Sequence, residues 1–303
     1  MLLDTKLPIS YIFTRIKPDI IRVLLISGVF QLLKLFFFAY LPRVPLQLPT
    51  ILGSCISLLL AFTLNQSYDR WWEARKVWGA IVNDSRSLVL QIMGFVPDDV
   101  LGAGNAESPL RRIAYRQIAW CYSLGQALRG LDMTATLVKY LPKAEVKYTQ
   151  GHANKPLALL SLHTRHIKQL YQEQTINTYQ QVQLDSTLVR LCDSMGKAER
   201  INSTVFPVSY RLLVHFFIYL FLMTLSLGLV ETIGLWEVPV LLVTASTFFL
   251  LERTARYLQD PFTNKPTDTP VTAIARTIEI NLKQLLQEAD VPAPARAGEY
   301  YLM

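Results

Sequence analysis

Cysteine is scarce in this chain and poorly spaced for chemistry. Cys55, Cys121 and Cys192 are far apart and odd in number, which excludes a disulfide framework and a thiolate metal cluster. Free thiols suit a reducing compartment on the side that holds Cys121 and Cys192. Histidine is almost as rare, at four residues. His163 and His166 have metal-ligand spacing on an expected helix, but no third ligand is evident, and they read as ordinary surface residues. Charge is thin as well: 17% of residues are charged against 51% apolar, and the mean hydropathy is +0.26. That is too apolar for an ordinary soluble protein and too charged for one that is membrane throughout, so a membrane part and a cytoplasmic part are expected. There is no leader pattern, because Asp4, Lys6, Arg15, Lys17 and Asp19 precede the first long apolar run. Nucleophile-base patterns, phosphate loops and metal-ligand spacings are missing too, so no catalytic residue, cofactor or metal is expected.

What the chain does have is apolar runs of membrane length. Ile20 to Leu41 is the first, with Arg22 and Lys34 inside it. Arg22 can snorkel to an interface, whereas Lys34 needs a partner, a cavity or the opposite interface. Val44 to Leu64 is the second and holds no charged residue. Leu212 to Val230 is the third, with His215 as its one readily titratable group, expected to hydrogen-bond to a neighbouring helix. Val238 to Leu251 is short but spans if it begins near Leu235 and ends near Arg253. The turn between the first two runs carries one basic residue, Arg43, and the turn between the last two carries only Glu231 and Glu237. Most of the other basic residues lie in the N-terminal, middle and C-terminal segments. The positive-inside rule then places both termini and the middle region in the cytoplasm of a four-crossing, multi-pass protein of the cell's inner membrane. The same topology accounts for the net charge of +7, and without a basic-aromatic motif nucleic acid is not an expected partner.

Gly79 to Phe206 alternates polar and apolar residues at helical spacing, with helices expected over Pro109 to Gly130, Leu157 to Gln174 and Leu184 to Ile201. Ala293 to Met303 reads as a loose tail. The divisions are then 1–78, 79–206, 207–253 and 254–303.

The second run does not end at the membrane. No Pro or Gly interrupts it between Ser54 and Trp78, so the apolar helix continues into Tyr68-Asp69-Arg70-Trp71-Trp72-Glu73. Ser54, Leu58 and Phe62 share one face, and at about 100° per residue that face reaches Asp69 and Glu73. Two readings stand. The helix packs in a bundle with its polar end simply outside the membrane, or the stripe lines a water-filled path with an apolar constriction opening into a charged vestibule. Arg70 beside the carboxylates, and Lys76 at i,i+3 from Glu73, offer ordinary helix-surface pairing instead.

The block Tyr68 to Gly79, preceded by Leu52-Gly53 and Phe62, resembles the second membrane helix of the bacterial bestrophin-like channels. Glu199-Arg200-Ile201 with Pro207 and Tyr210 resembles the family's approach to its third membrane helix. Asp260-Pro261-Phe262 and Arg276-Thr277-Ile278-Glu279-Ile280-Asn281-Leu282 resemble the segment after its last. The three blocks stand in family order. The resemblance implies an all-α membrane protein with four transmembrane helices and a helical cytoplasmic domain, assembled as a homopentamer around one pore for small monovalent ions. It implies a neck at Ser54, Leu58 and Phe62, with Ser54 where a larger apolar residue is usual. It implies a cytoplasmic constriction at Tyr179, where Ile is typical. It also implies that Trp71, Trp72 and Trp78 pack the cytoplasmic part.

Departures from the family carry information. Phe216 follows His215 where an Arg is common, and Arg256-Tyr257 stand where acidic residues are frequent. Thr263 to Pro270 holds only Asp268 in place of the dense acidic run of animal bestrophins, so calcium gating is not expected. The family passes chloride, and some bacterial members favour sodium; the sequence leaves that choice open. A membrane-anchored enzyme, or a scaffold, remains the alternative from the residues alone.

Overall fold

In the computed structural model, which describes residues 9–37, 40–42, 44–101, 108–204, 207–229, 233–297 and 301, every regular element is an α-helix or a 3-10 turn. Eleven α-helices are defined among these residues. Asp4, Lys6, Arg43, Val230, Glu231 and the end of the tail lie outside the described residues. The contacts divide the chain into two units, residues 4–71 with 205–259, and residues 72–204 with 260–303 and the first three.

The apolar unit holds α1 (Ile9–Phe37), the first half of α2 (Gln47–Phe95), α9 (Val208–Leu229) and α10 (Glu237–Gln259). By length and composition, Ile16–Phe37, α2, Ser209–Leu229 and α10 can each cross a membrane. Ile56 and Leu60 of α2 pack against Val214, Ile218, Phe221 and Leu222 of α9 and Leu241, Ala245, Phe248 and Phe249 of α10. The Phe221 ring of α9 packs onto α2 at Gly53, where an added Cβ would stand 3.1 Å from it. Hydroxyls on α2 are folded back onto their own helix: Thr50, Ser54, Ser57 and Thr63 each donate to the carbonyl four residues earlier, at 2.7–3.0 Å. This satisfies the donors without a second helix, as an apolar surrounding requires.

Buried charge in this unit is paired. Lys34, 8% exposed, donates to Glu237, to the Ser226 carbonyl at 2.8 Å and to the Ser226 hydroxyl at 3.0 Å. Glu237, 1% exposed, also accepts from the Ser226 hydroxyl and, at 3.3 Å, from Gln31. The partner that Lys34 needs is therefore a carboxylate in the first turn of α10, where the helix dipole also favours a negative charge. Asp19 takes the other end of α10, at 2.5 Å from Arg253 and 3.2 Å from Arg22.

The polar unit holds the rest of α2, α3 (Asp98–Leu101), α4 (Pro109–Leu128), α5 (Thr134–Tyr140), α6 (Lys143–Gln150), α7 (Lys155–Gln172), α8 (Thr178–Ser203) and α11 (Val271–Leu285). Helix starts here follow local chemistry. Ser108 caps α4 with Pro109 at its first position, Asn154 caps α7, and Asn177 with Gln180 forms a reciprocal capping box on α8. The core is built on Trp78, Ile81, Leu88 and Ile92 of α2, Ile113, Ile118, Trp120 and Leu124 of α4, and Ile278 and Leu282 of α11.

At the centre of this unit is Glu279, fully buried on α11. Tyr122 and Tyr140, stacked at 5.9 Å, each donate to it at 2.8 Å. Burial pushes this carboxyl up, but the two hydroxyls, with Lys139 and Arg276, more than offset it and hold the group below the usual glutamate range.

Candidate ion-conduction site

The neck candidates sit where helical phase puts them. The buried positions of α2 in the apolar unit, Ile56, Leu60 and Ser67, fall on one side of the helix, while Ser54, Leu58, Phe62 and Asp69 lie on the opposite, exposed side. Leu58 and Phe62 are 59% and 57% exposed in the single chain. That is far more than side chains of this kind show in a closed core. The Ser54 hydroxyl spends its proton on Thr50 and offers outward only a weak acceptor. Ser54 and Leu58 also edge a groove of about 660 Å³, which Phe221, Leu225 and Phe248 line on its far side.

The two acidic candidates part company. Asp69 is exposed and makes no ion pair among the described residues. Glu73 belongs to the polar unit, where Arg200 of α8 donates to its carboxylate at 2.8 Å. Of the two readings of Glu73, a vestibule carboxylate or a helix-surface pair with Arg70 or Lys76, neither includes this cation, which lies 127 positions away. Arg200 stood inside a family block, so a signal for it was present in the sequence.

Tyr179 occupies the first turn of α8 and is 87% exposed. It lies in the polar unit, apart from Ser54, Leu58 and Phe62. His215 is turned towards the neighbouring helix, as expected: its Nε2 stands 3.6 Å from the Glu252 carboxylate of α10, and its ring meets Phe249 edge-on. Arg256 donates to the same carboxylate, so the departure at Arg256 returns as a partner for Glu252.

His163 and His166 are a correction. His163 is fully buried, and neither of its ring nitrogens has a partner; His166 is largely buried. Burial first, then the nearby Arg116, drives His163 well below the usual histidine range and His166 down to about 4. The surface reading failed because His163 lies between Leu159 and Ile167 at i−4 and i+4, on the inner stripe of α7. Among the described residues no group of three or more His, Cys, Asp or Glu side chains stands together as a metal site.

The loop after α10 is organised by Asp268. Its buried side chain accepts from the Thr263 hydroxyl at 3.5 Å through Oδ1, its Oδ2 has no partner among the described residues, and burial pushes the carboxyl above the usual aspartate range in spite of the nearby Arg129. Arg129 also binds the carbonyl of Thr269 at 3.3 Å and the hydroxyl of Thr272 at 2.9 Å.

Comparison with known proteins agrees with this all-helical arrangement. Residues 6–284 match the family described as Bacterial/Fungal Bestrophin protein. The chain belongs to that family of membrane channels. It is 30% identical over 251 residues to a voltage-dependent anion channel-forming protein of Nostoc sp., covering 81% of this chain and 80% of that protein. It is 28% identical over 252 residues to YneE of Escherichia coli K12, also named as a voltage-dependent anion channel-forming protein, covering 83% and 80%. Among solved structures, a bacterial bestrophin homologue from Klebsiella pneumoniae matches at a TM-score of 0.82 and 27% identity, covering 91% of this chain and all of that one. These relatives are channels, not enzymes.

Proposed function

We propose that this chain forms an anion-conducting channel as a pentamer around a central pore, with both termini and the polar unit in the cytoplasm of a cell whose inner membrane it crosses four times. The observation that carries the reading is the exposed stripe of α2. Ser54, Leu58 and Phe62 are exposed on the side of α2 opposite Ile56 and Leu60, the two positions that pack against α9 and α10. Five copies around an axis turn that stripe into stacked rings. Leu58 and Phe62 then make an apolar neck that gates by dewetting, with Ser54 as a weakly polar ring on one side and Asp69 on the other.

The anion reading is taken from the relatives' names. Of the vestibule carboxylates, Glu73 is paired with Arg200 and contributes little net field, so Asp69 is the single carboxylate ring that opposes anion entry. Tyr179 serves as the cytoplasmic constriction, an aromatic ring whose hydroxyl can hydrogen-bond a passing ion.

The deciding experiment is ion flux by the purified chain in liposomes, followed by reversal potentials under a salt gradient and an oligomer mass in detergent. A reversal potential near the anion equilibrium value, with a mass near five protomers, is expected. A tight pentamer with no flux of any ion would leave a scaffold and remove the channel.

A further inference from the structure

The polar unit contains a pocket that the channel reading does not use. It holds about 290 Å³ between α4, α6 and α7, and is lined by Arg112, Arg116, Glu145, Tyr148, Arg165 and His166 among others. Three guanidinium groups and one carboxylate in one pocket leave a formal excess of about two positive charges.

The three arginines are not equivalent. Arg116 is nearly fully buried and spent on structure: it donates to Glu145 from Nε at 3.0 Å and Nη2 at 2.5 Å, and to the Leu162 carbonyl from Nη1 at 3.3 Å. Arg112 touches Glu145 only through Nε, at 3.2 Å, so both of its terminal nitrogens lack an acceptor among the described residues. Arg165 lies over the Tyr148 ring at 4.5 Å and gives Nη2 to its hydroxyl at 3.0 Å, and its remaining donors are uncommitted. His166 Nδ1 is buried without a partner. The pocket thus offers several aimed donors and has a single carboxylate, whose two oxygens are already taken by Arg116 and Arg112.

We propose that this pocket is a binding site for a small soluble phosphate monoester, with Arg112, Arg165 and His166 holding the phosphate and Arg116 with Glu145 fixing the frame. A guanidinium fork matches two oxygens of a phosphate at once, which a lysine cannot do. A phosphate monoester carries about −1.5 to −2 charges at neutral pH, which matches the excess in the pocket. Ligand pockets run from about 300 to 1,000 Å³, so this space sits at the small end and suits a phosphate with a short body. The state of His166 fits as well: burial and the two neighbouring arginines keep it neutral, and a bound dianion would reverse the second effect.

The site shares no residue with the proposed pore, and its test reads binding rather than flux, so the two readings fail separately. The full chain in detergent is titrated with inorganic phosphate, with potassium chloride at matched ionic strength as the control. Saturable binding is expected for the parent, together with a rise in the apparent pKa of His166 by NMR. Arg112→Gln with Arg165→Gln, both side chains at the surface, should weaken phosphate binding at least tenfold. Should that double variant fail to fold, His166→Gln carries the same test with a severalfold loss. No saturable binding, equal affinity in a folded variant, or the same response to chloride overturns the site. So does binding to nanodiscs of phosphatidic acid with none to free phosphate, which would make the ligand a lipid headgroup.

Discussion

Arg200 reaches from α8 to Glu73 on α2 and donates to its carboxylate at 2.8 Å. Both side chains are substantially exposed, so the pair adds little to stability, and its weight is in the local field. Removing the cation should therefore change which ions pass rather than whether the protein folds. Arg200→Gln is expected to move the reversal potential towards the cation value, because Glu73 joins Asp69 as an uncompensated ring. Asp69→Asn should move it the other way, and Glu73→Gln alone should move it little. Three unchanged reversal potentials would place these carboxylates off the ion path.

The neck is tested by its size. Leu58→Ala or Phe62→Ala removes apolar volume from an exposed stripe that the chain's own core does not use, so stability should hold within about 1 kcal/mol. Ion flux in liposomes should rise, with the oligomer mass unchanged. Unaltered flux in both variants would show that the constriction lies elsewhere.

Lys34 and Glu237 predict an asymmetry in stability. Lys34→Met leaves Glu237 buried without its cation, held only by the Ser226 hydroxyl and Gln31, and should cost about 3–5 kcal/mol, whereas adding Glu237→Gln should restore much of the loss. Thermal unfolding of the parent, the single and the double variant in one detergent reads this directly. Equal loss in the single and the double variant would mean that packing, rather than charge, governs the site.

Stability should also fall with mild acid. A histidine whose folded pKa lies below its unfolded value is fully compatible with folding above about 6.5, and destabilises as the unfolded chain gains a proton below that pH. His166, lowered to about 4, loses stability between pH 6.5 and pH 4, and His163 shifts in the same direction. For His166 the cost is at most roughly 3 kcal/mol, with the full value reached near pH 4. Glu145, Glu279 and Glu288 are lowered carboxylates, whose stabilising contribution is complete above about 4.5 and is lost only below that pH. Urea unfolding at pH 7.5 and 5.5 separates the two groups, and His166→Gln should flatten the slope between those values.

Calcium should have no effect. The single acidic side chain of the 263–270 loop, Asp268, is fully buried, raised by that burial and near Arg129, while a calcium ion takes six to eight oxygens. Currents with micromolar calcium and with a chelator on the cytoplasmic face should coincide. A rise on adding calcium would require oxygen ligands from a neighbouring subunit.

How far the sequence carried the description depended on the range of each interaction. The apolar helices were legible because membrane-length runs need only composition. The stripe of α2 was legible because helical phase is local. Helices α5 and α6, at seven and eight residues, are too short for periodicity to speak. The expected start of the helix at Leu184 fell six residues late, since the capping box at Asn177 and Gln180 was not weighed, and Tyr179 consequently sits inside α8. Glu73 with Arg200 and Lys34 with Glu237 join residues 127 and 203 positions apart, and no local pattern announces such pairs. The arginine pocket was invisible for the same reason: Arg112 and Arg116 meet Glu145 and Arg165 only once three helices have packed.

The pairing of Lys34 with Glu237 also sets a clock on synthesis. The two residues are separated by 203 positions, so at about 5–20 residues per second Lys34 waits some 10–40 s after it is made before its carboxylate exists. During that interval Lys34 lacks the carboxylate it pairs with in the folded chain, and a basic side chain within an apolar helix is costly to insert alone. On the four-crossing topology proposed above, the nascent first helix would linger at the insertion machinery or the interface until α10 emerges. A chain cut short before Glu237 should be marked for degradation by that single lysine.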